Sequence, residues 1–265
     1  MAAAIHGAMM KDKQHHEQAH DHPVLRVATY NIHKGVQGMG PARRLEIHNL
    51  GLAVEQMDAD IVCLQEVRKM NHREAAYFPN WPVQSQAEFL APLGYEAAYH
   101  TNARTRWGEH GNALLSRWPI KATGHMDISD HRFEQRGLLH AELDVAGHPV
   151  HAIVVHLGLV HGSRLRQVAQ IHGYIKRNVP SDMPLVVAGD FNDWGLQVKR
   201  MLAGFGLFEY DEQPLMTYPS RLPVVQLDHV YARGLTPCGW MVPRGRIWRR
   251  MSDHLPLIAE FRLRD

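Results

Sequence analysis

From Val24 onward, short apolar runs alternate with stretches in which apolar residues recur every three or four positions, the pattern of an α/β or α+β chain. Val24 to Tyr30 reads as a strand that ends at Asn31. Ala42 to Met57 places Leu45, Leu50, Val54 and Met57 at helical spacing, and the following DIVCLQE is a buried strand that delivers Glu66 at its end. Further strands are predicted at Tyr95 to His100, at Gly111 to Ser116, and as an antiparallel pair, LLHAELDV and PVHAIVVH, around the Ala146-Gly147-His148 turn. Ser163 to Asn178 reads as a helix with Leu165, Val168, Ile171 and Ile175 on one face. Strands at LVVAGDFN, VVQLDHVY and PLIAEFRL complete the set. The segments Met70 to Gln84, His100 to His110 and Asp211 to Pro223 are read as loops.

The first 23 residues show neither period. They are small, polar and His-rich, and are expected to form a flexible arm (1–23) ahead of a single domain (24–265). His15, His16, His20 and His22 lie in that arm, but with 20 histidines in the chain their clustering is weak evidence for a metal site. No internal repeat and no linker divides the remainder.

Composition narrows the function classes. A chain of 265 residues with 45% hydrophobic content buries one large core. The net charge of +2 is far from the basic balance of a protein that lives on nucleic acid, although it excludes no substrate. Cys63 and Cys238 make neither a disulfide framework nor a zinc pattern, so two free thiols in a reducing compartment are expected. No apolar run reaches the roughly 20 residues of a membrane span and no signal-peptide pattern opens the chain, so the expected location is cytoplasmic.

Polar residues stand where the apolar runs end: Asn31, Glu66, His156, Asp190, Asn192, Asp228, Asp253 and His254. A core strand does not need them, and one alone would be an ordinary strand-end cap. Together they supply what phosphate-ester hydrolysis at neutral pH requires: ligands for a cation, a base for water, and donors for developing negative charge. Hard oxygen ligands such as Glu66 and Asp253 suit Mg²⁺ or Mn²⁺.

The segments TYNIH, LQEV, HGNALLSR, VVHLGL, AGDFND, QLDHVY and MSDHLPL follow one another in an order that resembles the endonuclease/exonuclease/phosphatase superfamily, from Val24 to the C-terminus. The resemblance implies one catalytic domain over 24–265. It also implies an α/β four-layered sandwich, with two central mixed β-sheets packed face to face, flanked by helices, and the site at one edge of the sheets. On it, Glu66 is the principal metal ligand, with Asn31 nearby and Asp253 completing the metal environment. Asp190 and Asn192 position the attacking water or the leaving oxygen, with Asp190 as base or as second metal ligand. His254 contacts the scissile phosphate and is oriented by Asp228, and His156 is a second phosphate-contacting imidazole.

Where His156 stands, abasic-site endonucleases of this superfamily usually carry tyrosine. That difference moves weight away from abasic-site repair. Asn112 matches a recurrent substrate-binding position, though a Gly-Asn turn feeding a strand explains it equally. Arg136 is read as facing the phosphate, with a plain surface arginine as an equal alternative. Arg244, Arg246, Arg249 and Arg250, just before SDH, are read as an anion-attracting rim. Trp107, Trp194 and Trp248 lie near the motifs and receive no role.

The expected function is a divalent-metal-dependent phosphodiesterase that uses metal-activated water with His/Asp assistance on a small or lipid-linked phosphoester. A DNA endonuclease or exonuclease of low specificity is the alternative, since the same centre serves either ester. A non-catalytic binding protein of the same fold ranks below both, because Glu66, Asp190, Asp228 and His254 are all present.

Overall fold

In the computed structural model the described residues are 24–195, 197–209 and 213–264. The His-rich arm expected at 1–23 lies outside them.

Two sheets carry the fold. The first has the spatial order β12 (Leu235–Met241), β13 (Leu257–Leu263), β1 (Val24–Asn31), β4 (Ile61–Val67), β6 (Gly108–Ser116) and β5 (Glu96–Thr105). The second runs β11 (Asp228–Arg233), β10 (Leu185–Asp190), β9 (His148–His156), β8 (Gly137–Val145) and β7 (Ile120–Asp127). Both are mixed: β1 with β4 and β9 with β10 are parallel pairs, and the other neighbours are antiparallel.

Alternation sorts each strand between two hydrophobic layers. Leu25, Val27, Ile61, Cys63 and Leu114 of the first sheet meet Leu139, Ala152, Val154, Val186, Ala188 and Val230 of the second in the inner core. The opposite faces of the same strands are also buried. Tyr30, Val62, Leu64 and Leu115 pack under the helices α1 (Ile47–Met57), α3 (Gln86–Leu90) and α6 (Trp248–Met251). Ile153, Val155, Val187 and Tyr231 pack under α4 (His161–Asn178) and α5 (Gln197–Gly204). Strands covered on both faces must be apolar at successive positions, which is why IVCL and AIVV read as continuous hydrophobic runs. The result is the expected four-layered α/β sandwich.

Three local expectations change. The first helix begins at Ile47 rather than Ala42, because residues 44–45 pair as a short strand, β3 (Arg44–Leu45), with β2 (Val36–Gln37), and Glu46 N–H donates to the Gly35 carbonyl. The segment 100–110 is not a loop but mostly a hairpin, since β5 and β6 stay paired out to Thr105 and Gly108. The segment 70–84 holds a short helix, α2 (His72–Tyr77), capped by the Asn71 side chain on Glu74 N–H.

Candidate active site

Register alone assembles three of the site residues. Asp190, at the end of β10, lies opposite His156 of β9 on one side and opposite Asp228 of β11 on the other. Strand neighbours in register share a face, and alternation from Val154, Ala188 and Val230 places all three on the inner one. Across the gap between the sheets, Asn31 continues the inner face of β1 after Val27, and its Nδ2 donates to Asp190 Oδ2 at 3.0 Å. His254 completes the group: its Nδ1 is 2.8 Å from Asp228 Oδ2, and its Nε2 is 3.6 Å from Asp190 Oδ2. Ser252 fixes the segment that carries it, donating from Oγ to the Asn31 carbonyl at 2.6 Å.

Glu66 reaches the site by breaking the alternation. Cys63 faces the inner core and Gln65 bonds Thr29, so regular pairing would turn Glu66 outward. Instead its backbone adopts φ 58°, and the register of β4 with β6 slips between Leu64 and Val67. A bulge of this kind re-aims one side chain at a cost of order 1–3 kcal/mol. The same device recurs just after β1, where His33, Lys34 and Gly35 are three successive left-handed residues at φ 45°, 62° and 70°. That turn sets Lys34 Nζ 2.7 Å from Glu66 Oε2 and His33 Nδ1 2.9 Å from Asp253 Oδ1. Two cationic or cation-forming groups thus rest on two carboxylates at the mouth of the site.

The electrostatics divide the ionisable groups. Burial by itself pushes the Glu66 carboxyl up, but the Lys34 ammonium beside it holds it well below the usual carboxylate range. Asp253 is likewise held down against burial, chiefly by its bond to His33. Asp190 goes the other way, raised by burial and by the Asp228 charge against the opposing pull of His254. Burial disfavours protonated His254, yet the carboxylates of Asp228 and Asp190 overcome it and raise the imidazole far above its ordinary value. His156 is pushed well below its ordinary value by burial and by Arg136, so it stands neutral beside a protonated His254.

Comparison with known proteins fits this arrangement. The family model described as Endonuclease/Exonuclease/phosphatase family matches residues 28–254. The chain belongs to that family. Its curated relatives include the uncharacterized protein YbhP of Escherichia coli K12, 37% identical over 247 residues, 90% of this chain and 96% of YbhP. Among solved structures, the human nocturnin catalytic domain with bound sulfate superposes at a TM-score of 0.69 with 21% identity, covering 91% of this chain and 94% of that one. A mannosyl-6-phosphatase of Bacteroides thetaiotaomicron superposes at 0.68 with 18% identity, covering 89% and 99%. At those identities the structural likeness establishes the fold. Members of the endonuclease/exonuclease/phosphatase family are hydrolases of phosphoesters and are generally dependent on divalent metals.

Within this family fold, Asn31, His156, Asp190, Asp228 and His254 form one contact network, and Glu66 and Asp253 join it electrostatically. Asn192 adjoins it, with its N–H on Asp190 Oδ1 at 3.0 Å and its Nδ2 on the Leu157 carbonyl at 3.0 Å. Asn112 also ties the two sheets together. Its Nδ2 is spent on the carbonyls of Gly137 and Val154, at 2.9 and 3.2 Å, so it stitches the first sheet to the second. Arg136 is only slightly exposed, donating to the Leu157 carbonyl and to Glu134, and its charge acts on His156.

The sequence reading missed His33, Lys34 and Ser252. Its one available signal for the first two was Gly35, a few residues past the strand end at Asn31, where glycine marks a left-handed turn. Asp190, Asp228 and His254 also bring one donor atom each within 4.8 Å of one another, a grouping able to hold a metal ion.

Proposed function

We propose that this chain is a phosphodiesterase that hydrolyses a phosphodiester with the help of a divalent cation, Mg²⁺ or Mn²⁺. The observation that carries the reading is the buried Asp228–His254 pair, directed at Asp190 and sharing one sheet edge with Glu66. The sulfate held by the nocturnin catalytic domain supports it further, being a tetrahedral anion of phosphate's shape.

The cation fits the Glu66 side of the site better than the Asp190–Asp228–His254 side. A protonated imidazole offers no lone pair to a metal, and His254 Nδ1 is already committed to Asp228. Glu66 is an ionised, mostly buried carboxylate that already accommodates a positive charge, the Lys34 ammonium, and Asn31 and Asp253 add hard oxygen donors. When bound, a divalent cation there neutralises phosphate charge and favours the extra negative charge of the transition state.

The chain's own groups divide the remaining work. Water adds to phosphorus as the P–O bond to the leaving group breaks; Asp190, whose proton affinity burial has raised, accepts the water's proton, and the departing alkoxide takes up a proton from solvent water. His254 donates from Nε2 to a phosphate oxygen, with Asp228 holding the ring and its charge. His156, neutral and buried, offers a second contact to the phosphate, and Asn31 and Asn192 hold the Asp190 carboxylate in place.

Comparing bis-p-nitrophenyl phosphate with p-nitrophenyl phosphate under Mg²⁺ and Mn²⁺ tests the ester class. Faster turnover of the diester is the expected result. A clear preference for the monoester would make the chain a phosphomonoesterase instead.

A further inference from the structure

Four connections at the catalytic edge repeat one dipeptide, an exposed arginine followed by an exposed large apolar residue. They are Arg106–Trp107 in the β5–β6 turn, Arg132–Phe133 between β7 and β8, Arg221–Leu222 ahead of β11, and Arg246–Ile247 between β12 and β13. The apolar members are exposed by 42%, 82%, 72% and 69%, and Ile247 also lines a groove along α1 with Leu52 and Gln56.

Topology puts all four at the same end as the site. β6 begins where β4 delivers Glu66, β8 begins beside the His156 end of β9, and β11 begins at Asp228. The β12–β13 connection carries Asp253 and His254 themselves. The opposite end of the sheets also exposes Val24, Leu93 and Phe208, and none of these follows an arginine. Beside the site, Met70, Leu159, Trp194 and Val224 are also exposed and follow no arginine, so the pairing marks four tips and not the whole edge.

We propose that these four tips dock the catalytic edge on an anionic phospholipid surface, so that the ester hydrolysed is one carried at that surface. An apolar side chain that enters the headgroup boundary beside a guanidinium that takes lipid phosphate is a chemical match for such an interface. In two of the tips the arginine already lies over the ring, at 4.6 Å in both Arg106–Trp107 and Arg132–Phe133, which keeps charge and apolar surface together at the point of entry. A folded protein seated on all four tips would cover the site they surround. A bilayer would instead present phosphodiesters to it. The docking stands on its own, whereas the statement about the ester rests on the phosphodiesterase reading.

The test is co-sedimentation of the full chain with vesicles of phosphatidylcholine, alone or with an equal part of phosphatidylglycerol, in chelator so that no hydrolysis intervenes. Binding to the anionic vesicles is expected, with little to the neutral ones. It is expected to fall roughly a hundredfold or more in the Trp107→Ser/Phe133→Ser/Leu222→Ser/Ile247→Ser variant, and to weaken in the variant with the four arginines changed to Gln. Unchanged melting temperature in both variants, and unchanged turnover of soluble bis-p-nitrophenyl phosphate in the serine variant, check that they are intact. That turnover also reads the chemistry separately, since its absence in the wild type would count against the phosphodiesterase reading and leave the docking result standing. The docking is overturned if the wild type ignores anionic vesicles, if the serine variant binds them as well, or if neutral vesicles are bound equally. It is also overturned if the tips instead hold a dimer that the serine variant dissociates.

Discussion

Glu66 sits in a left-handed backbone conformation that a non-glycine residue avoids, and the strain is offset by what its carboxylate meets there. Because that carboxylate is the proposed seat of the cation, Glu66→Gln is expected to weaken Mn²⁺ binding, measured by calorimetry, by about tenfold or more and to lower turnover with it. Asp228→Asn separates charge from shape. His254 is raised against burial by Asp228 and Asp190, so its proton is held at neutral pH and lost only as pH rises. Removing the Asp228 charge is expected to move the alkaline limb of the pH–rate profile to lower pH and cut turnover by about a hundredfold or more, with metal binding little changed. At this scale the sequence was informative wherever a polar residue ended an apolar run, as at His156, Asp190 and Asp228. It was silent at His33 and Lys34, whose places depend on a left-handed turn that no periodicity reports.

Strand register does the positioning that no single residue does, and Asn112 is where the two sheets are tied. Asn112→Ala leaves the buried carbonyls of Gly137 and Val154 without that donor, so a loss of about 1–3 kcal/mol is expected in urea unfolding. On the outer face of the second sheet, His140 Nε2 and His151 Nδ1 lie 2.9 Å apart, and His140 Nδ1 meets the Tyr174 hydroxyl beneath α4. Burial and the His151 charge lower His140 from 6.5 to about 4. In the unfolded chain it takes up a proton near the ordinary value, so stability is full above 6.5 and declines as pH falls toward about 4. Thermal melts across that window are expected to show the decline, and His140→Asn to reduce it. The central strands were legible because burial on both faces makes them continuous apolar runs. The edge strands β7 and β12 were not, since Gly124 in one and Pro237 and Gly239 in the other interrupt the β pattern, and an edge tolerates them where a central strand would not.

For the molecule as a whole, two sheets face each other and deliver their polar strand ends to a single edge, so the fold itself concentrates charge there while the core stays apolar. The order of seven short motifs carried this architecture, because most of them mark where a strand enters or leaves the core. What the linear order left unread was the surface, since exposed tips such as Phe133 and Leu222 gain meaning only once topology places them together. Among the described residues no helix is long and apolar enough to cross a membrane. The most direct measurement is hydrolysis of bis-p-nitrophenyl phosphate by the wild type and by His254→Ala, each with Mg²⁺, with Mn²⁺ and with chelator. The wild type is expected to turn over only with metal, and His254→Ala to lose about a hundredfold to ten-thousandfold while remaining folded. Turnover that survives chelation, or a His254→Ala rate equal to that of the wild type, would contradict the account.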